Sequence, residues 1–103
     1  MAGVLTSAKF TLQSGAEYEF NINTGGIVAI TTNALQHGAA ILSFPMYGSN
    51  VGYLIAGAEA YVAGDVTTTN KIAFWRSEDG KCHIRNNYSS SFVFYYNILS
   101  QKS

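Results

Sequence analysis

The chain has 103 residues, and only 12% of them are charged, about half the ~25% usual for a globular domain. Its formal net charge is zero, so no global field draws nucleic acid or an anionic membrane, and no run of ~18 apolar residues offers a membrane span. One domain over residues 1–103 is the expectation at this length, and so little charge implies an uncharged polar surface or one covered by partners.

The first predicted element runs from Lys9 to Ile22. Phe10 and Leu12 alternate with Lys9, Thr11 and Gln13, and after Ser14-Gly15-Ala16 the apolar residues Tyr18, Phe20 and Ile22 alternate with Glu17, Glu19 and Asn21. A period of two on both sides of a tight turn predicts a hairpin, with Leu12 and Tyr18 on one face. Thr24-Gly25-Gly26 is a turn signal, and IVAITT follows as a β-branched strand. A helical turn fits only near Asn33 to Gln36. AAILSF, ended by Pro45, and VGYLIAG are further strands, as is AEAYVAG, which ends at Gly64-Asp65. KIAFWRS and KCHIRN flank Glu78-Asp79-Gly80, and FVFYYNIL closes the series. About nine short strands at such spacing predict an all-β fold, an antiparallel β-sandwich of jelly-roll-like form.

Charge is unevenly spread. Residues 1–70 carry Lys9 against Glu17, Glu19, Glu59 and Asp65, a net −3; residues 71–103 carry Lys71, Arg76, Lys81, Arg85 and Lys102 against Glu78 and Asp79, a net +3. Opposite charges of this kind suit either a chance distribution or contact between copies of the chain. Residues 21–58 and 86–101 contain no Lys, Arg, Asp or Glu. FVFYYNIL is bulky on both faces, with Phe92, Phe94, Tyr96 and Ile98 on one and Val93, Tyr95 and Leu99 on the other, so both need cover. A subunit interface on the second face is the favoured expectation, loops over it the alternative.

Asp79-Gly80 favours a two-residue hairpin turn. That turn pairs Arg76 with His83, Trp75 with Ile84 and Phe74 with Arg85. It predicts a core face of Trp75, Ser77, Cys82 and Ile84, and a basic, aromatic face of Phe74, Arg76, His83 and Arg85, with Arg85 over Phe74 as a cation–π pair. Arg76, His83 and Arg85 thereby become candidate ligand-binding residues for a sugar, an anionic polymer or a partner; an ordinary solvated face is the plainer account. Tyr47 and Asn50, in Met46-Tyr47-Gly48-Ser49-Asn50, are a second candidate set, because a loop tyrosine beside amides suits recognition. Tyr88, in Asn86-Asn87-Tyr88-Ser89-Ser90, extends the first set unless it caps the core.

Little in the sequence points to catalysis. His37 and His83 are the only histidines and Cys82 the only cysteine, without metal-ligand spacing. No serine lies in a G-x-S-x-G elbow, and the glycines form neither a P-loop nor a dinucleotide fingerprint. Glu17/Glu19 and Glu78/Asp79 read as solvated groups rather than a glycosidase pair. No enzyme activity, cofactor or metal is expected. A lone cysteine excludes an intrachain disulfide, and MAGVLTSAKF lacks the apolar core of a signal peptide, so synthesis in a reducing cytoplasm is expected.

KIAFWRSEDGKCHIRNNYSSSFVFYYNIL resembles the C-terminal part of β-sandwich tip domains of phage and prophage tail fibres, which often close on a strand, a turn, a strand into Asn-Asn, a Ser-rich loop and a final aromatic–aliphatic strand. The segment with Ser14-Gly15, then Gly25-Gly26 and IVAITT, is similar as well. The resemblance implies a homotrimeric knob of the virion, binding a bacterial surface glycan or protein; separately, the zero net charge and the lack of a long apolar run lead us to expect no nucleic-acid partner and no membrane insertion. The alternatives are a monomeric lectin-like or carbohydrate-binding domain of a larger secreted or surface protein, and a protein-binding adaptor or inhibitor.

Overall fold

The computed structural model of the chain describes residues 8–20, 22, 25–32, 38–57 and 59–101. The alternating segments form nine strands: β1 (Ala8–Leu12), β2 (Glu17–Phe20), β3 (Gly26–Thr32), β4 (Ala40–Phe44), β5 (Tyr53–Gly57), β6 (Tyr61–Ala63), β7 (Ile72–Arg76), β8 (Cys82–Asn86) and β9 (Phe92–Gln101). A five-stranded sheet, β1-β9-β3-β4-β5, packs on a four-stranded sheet, β2-β8-β7-β6. The fold is the expected all-β sandwich, with no helix among the described residues. The order β1-β9-β3 facing β2-β8 is that of a jelly roll; β4 and β5 then extend the larger sheet as a meander. The short β6 pairs with β7 in parallel, the single exception among the described strand pairs. The segment around residues 33–36 lies outside the described residues, as does His37.

The opening segment is a corner, not a hairpin. β1 pairs with β9 and β2 with β8, so the chain passes from one sheet to the other at Ser14-Gly15. The same alternation serves both arrangements, because the apolar residues of each strand point into one core from opposite sides. Phe10 stacks on Tyr18 across that core, with ring centroids 3.8 Å apart and planes 3° from parallel. Gly15 turns the corner with φ 79° and donates its N–H to Asn86 O at 2.7 Å.

The core is aromatic and aliphatic. Phe20, Phe44, Phe74 and Phe94 are fully buried with Ile22, Ile30, Leu42, Ile72 and Ile84. At one rim, Tyr18 of β2 and Tyr96 of β9 share a hydroxyl–hydroxyl hydrogen bond of 2.7 Å between the sheets. Asn86 is the fully buried polar side chain. Its Nδ2 donates to Leu12 O at 3.0 Å and to Ser90 O at 2.8 Å, and its Oδ1 accepts from Tyr88 N at 2.8 Å. It thus ties β1, the corner and the loop before β9 to the end of β8, with its polar atoms matched by partners.

Candidate functional site

The β7–β8 turn differs from the two-residue expectation. Trp75 pairs with His83, Phe74 with Ile84 and Arg76 with Cys82. Ser77 N donates to Lys81 O and Gly80 N to Ser77 O, each at 2.9 Å, and Gly80 takes φ 90°. The loop therefore holds three residues, a type I turn closed by a left-handed glycine. Three residues instead of two move the pairing by one position and change which side chains share a face. Phe74, Cys82 and Ile84 enter the core, while Trp75, His83 and Arg85 lie on the outer face. Arg76 falls on the other side from His83 and Arg85, so the predicted basic face of three does not form.

His83 and Arg85 are occupied within the chain. Arg85 Nη1 lies 3.1 Å from Glu17 Oε2 and 2.7 Å from Asp65 Oδ1, its Nη2 donates to Val66 O, and its Nε to Asn87 Oδ1. Its guanidinium sits over Trp75 rather than Phe74, 4.9 Å from the ring centroid. His83 stacks on Trp75, with Nδ1 3.8 Å from Glu17 Oε1 and Nε2 3.0 Å from Ser77 Oγ. Ser77, His83 and Glu17 thus stand in the order of a nucleophile, a base and an orienting acid. Ser77 Oγ, however, gives its proton to Asp79 Oδ1, and that bond is the main cause holding the Asp79 carboxyl below its ordinary range. The hydroxyl proton is committed to a turn carboxylate, so the group works as a brace of the turn. Glu17 and Asp65 come from the acidic part of the chain and Arg85 from the basic part; the opposite charges meet inside one copy.

Tyr47 is 81% exposed, in the loop between β4 and β5. The loop is pinned from below. Arg76 Nη1 donates to Gly48 O at 2.5 Å, Asn50 N to Arg76 O at 2.7 Å, and Asp65 N to Asn50 Oδ1. Asn50, with φ 59°, spends its side chain on this bracing, and Arg76 spends part of its own there. Tyr88 packs edge-on against Phe92 at 5.1 Å and caps the core. Of the predicted ligand residues, Tyr47 alone presents its ring to solvent on a braced loop; Asn50 and Arg76 support it, while His83, Arg85 and Tyr88 are tied elsewhere.

The sequence missed a surface feature that its two charge-free tracts build together. β3, β4 and β5 come from the first and β9 from the second, and they are neighbours in the larger sheet. Outward-facing rows follow from the register: Tyr95 beside Thr31, then Asn97, Ala29, Ile41 and Ala56, then Ile27, Ser43 and Tyr53. None of these is charged; Lys9, opposite Tyr95, stands at the β1 edge. Tyr53, Ile55, Tyr95 and Leu99 are each roughly half exposed, and a depression of about 400 Å³ opens among Ala29, Ala39, Ile41, Ala56, Tyr95 and Asn97. Asn97 Oδ1 is buried there with no hydrogen-bond partner.

No family model, curated protein or solved structure matches the chain. The chemistry of its surface is thus set by these residues alone: one outer face internally ion-paired, the other neutral, apolar and grooved. No group of three or more His, Cys, Asp or Glu among the described residues has the geometry of a metal site.

Proposed function

We propose that the chain is a non-catalytic, self-assembling β-sandwich module, a homotrimeric tip of a phage or prophage tail fibre that attaches to a glycan or protein of the bacterial surface. The observation that carries the reading is the neutral outer face of the larger sheet. A contiguous face with half-exposed Tyr53, Ile55, Tyr95 and Leu99 is costly to leave in water. Identical copies meeting around a symmetry axis bring equal charges together, and a face without charge escapes that repulsion. The resemblance of Lys71 to Leu99 to fibre-tip domains supplies the biological setting. Receptor contact falls to the loop end that carries Tyr47, where a ring on a braced loop offers area at small entropic cost.

Sedimentation equilibrium tests the assembly. The expected mass is three times 11.1 kDa; a monomer at micromolar concentration with a β-rich circular dichroism spectrum overturns the reading. With the oligomer in hand, Tyr47→Ala is expected to keep the assembly and lose adhesion to host cells or to arrayed glycans. Undiminished adhesion removes Tyr47 from the site.

A further inference from the structure

Arg76 closes β7 beneath the loop that carries Tyr47, and its charge is unmatched. Among the described residues its guanidinium forms no ion pair, whereas Arg85, the other arginine, pairs with both Glu17 and Asp65. Arg76 Nη1 donates to two carbonyls, Gly48 O at 2.5 Å and Ser77 O at 3.2 Å. Nε is buried without a partner, and Nη2 has none among the described residues. We propose that this guanidinium is the anion subsite of the Tyr47 loop, and that the loop takes a carboxylate-bearing sugar. The proposal rests on the receptor-contact reading and names the class of its ligand.

Three observations lead to it. First, Nε–H and Nη2–H lie side by side on one edge of a guanidinium, the fork that accepts both oxygens of a carboxylate. The bonds from Nη1 to Gly48 and Ser77 hold the plane in place and leave that edge unused. Second, a buried N–H of a charged group is costly without an acceptor, and neutral carbonyls do not cancel the charge. The nearby carboxylates are engaged elsewhere: Asp79 accepts from Ser77 Oγ and Lys81 N, and Asp65 lies on Arg85. Third, Arg76 is bonded to the residue directly after Tyr47, whose ring is 81% exposed. Cation and ring are therefore neighbours on one loop, and that loop is preorganised by positive φ at Gly48 and Asn50.

A ring to stack on and a fork beside it suit a ligand with two matching parts. A hexuronate or neuraminate residue has both, an apolar ring face for Tyr47 and a carboxylate on the same ring for Arg76. The carboxyl-reduced sugar keeps the ring and loses the anion. The fork also sets arginine apart from lysine, whose ammonium is a point charge without paired donors. Arg76 is half-buried as a residue, so the edge is shaded by the loop, and a small turn about the terminal torsions of the side chain brings it to a ligand.

The test uses the full chain on an array of hexuronate- and neuraminate-bearing oligosaccharides printed beside their carboxyl-reduced forms, with adhesion to host cells scored in parallel. The parent is expected to bind the acidic member of at least one pair about tenfold more tightly than its reduced form. Arg76→Lys keeps a positive charge and a donor for Gly48 O, and is expected to erase that preference with β-sheet circular dichroism unchanged. Lys81→Gln removes a charge from the adjacent turn and is expected to keep the preference. A preference that survives Arg76→Lys, or one that Lys81→Gln also erases, overturns the fork. The parent's own ratio needs no variant. A parent that binds both members of every pair equally, with Tyr47→Ala abolishing that binding, overturns the anion subsite while receptor contact at Tyr47 stands. A parent that adheres to cells yet binds no acidic glycan overturns it too and leaves a protein receptor. A parent that neither binds glycan nor adheres overturns both readings.

Discussion

Trp75 lies face to face with His83, the ring centroids 5.1 Å apart and the planes 16° from parallel, while Arg85 covers it at 4.9 Å. The indole is thus 5% exposed although it stands on the outer face of the smaller sheet. A cover of polar side chains adapts to a gap better than a packed interior does. Trp75→Ala is therefore expected to cost about 2–4 kcal/mol, below the cost of Phe74→Ala in the same strand, at about 3–5 kcal/mol. Urea denaturation followed by circular dichroism measures both; a larger loss at Trp75 than at Phe74 contradicts the assignment of faces.

Arg85 is expected to act as a strut. Its contacts to Glu17, Asp65 and Val66 fasten β2 and the segment after β6 to β8. Arg85→Ala should cost about 2–3 kcal/mol, because it leaves a partly buried network unpaired. Asp65→Asn, on an exposed carboxylate, should cost under about 1 kcal/mol. Equal effects in chemical denaturation refute the asymmetry.

Asn86 should tolerate no apolar replacement. Asn86→Leu has nearly the same volume but strands the carbonyls of Leu12 and Ser90 and the amide of Tyr88. Each buried group left unpaired costs about 1–3 kcal/mol, so the variant is expected to unfold or to melt far below the parent. A melting temperature within a few degrees of the parent's rejects the role.

Gly57 and Gly15 separate steric exclusion from backbone strain. Both have positive φ, but a Cβ at Gly57 meets Ala40 Cα at 2.5 Å, and one at Gly15 meets nothing within 4 Å. Gly15→Ala should cost only the left-handed penalty, about 1–2 kcal/mol, while Gly57→Ala should cost more and disturb the β4–β5 pairing. Matching losses in the two variants dispose of the distinction.

High pH should unfold the domain. Burial pushes the Cys82 thiol up to about 11. Burial, aided by the Tyr18 hydrogen bond, pushes the Tyr96 phenol up to about 12, and burial also raises Tyr61. Each group is held neutral in the fold and ionises earlier in the unfolded chain. Their contribution is complete below the unfolded values, near pH 9 for the thiol, and is lost as pH rises through the folded ones. The slope for the fully buried Cys82 thiol is at most about 1.4 kcal/mol per pH unit in its window, and that for the partly buried Tyr96 phenol is smaller. Thermal melts from pH 7 to 11.5 should fall steeply above pH 9, and Cys82→Ala should flatten the first part of that fall. A curve level to pH 11 refutes the withdrawal of these groups from water.

Most of the architecture was legible from alternation and turn residues, which fix strands locally. What the sequence hid was partnership. The alternation of Phe10 and Leu12, then Tyr18 and Phe20, is the same whether the strands lie side by side or face each other across a core. Asp79-Gly80 suggested a two-residue turn, whereas the bonds from Ser77 to Lys81 close a loop of three, and that one residue turned β7 over relative to β8, bringing Trp75 to the outer face beside His83 and Arg85 and sending Phe74 and Arg76 to the inner one. The charge-free tracts signalled an unusual surface, but the groove depends on Ala29 of β3, Ala39 just before β4 and Ala56 of β5 coming together, which no linear pattern reveals.

The position of β9 has a consequence for biosynthesis. It lies between β1 and β3, with Ala8 paired to Tyr96 and Ile30 paired to the same tyrosine from the other side. It is the last described strand to leave the ribosome, yet until it arrives β1 has no sheet partner and β3 keeps an open edge. The larger sheet therefore cannot close by vectorial, strand-by-strand growth; it must wait for emergence of the final segment and then join residues more than eighty positions apart. Such sequence separation slows folding and leaves the β3 edge without its partner until β9 is in place.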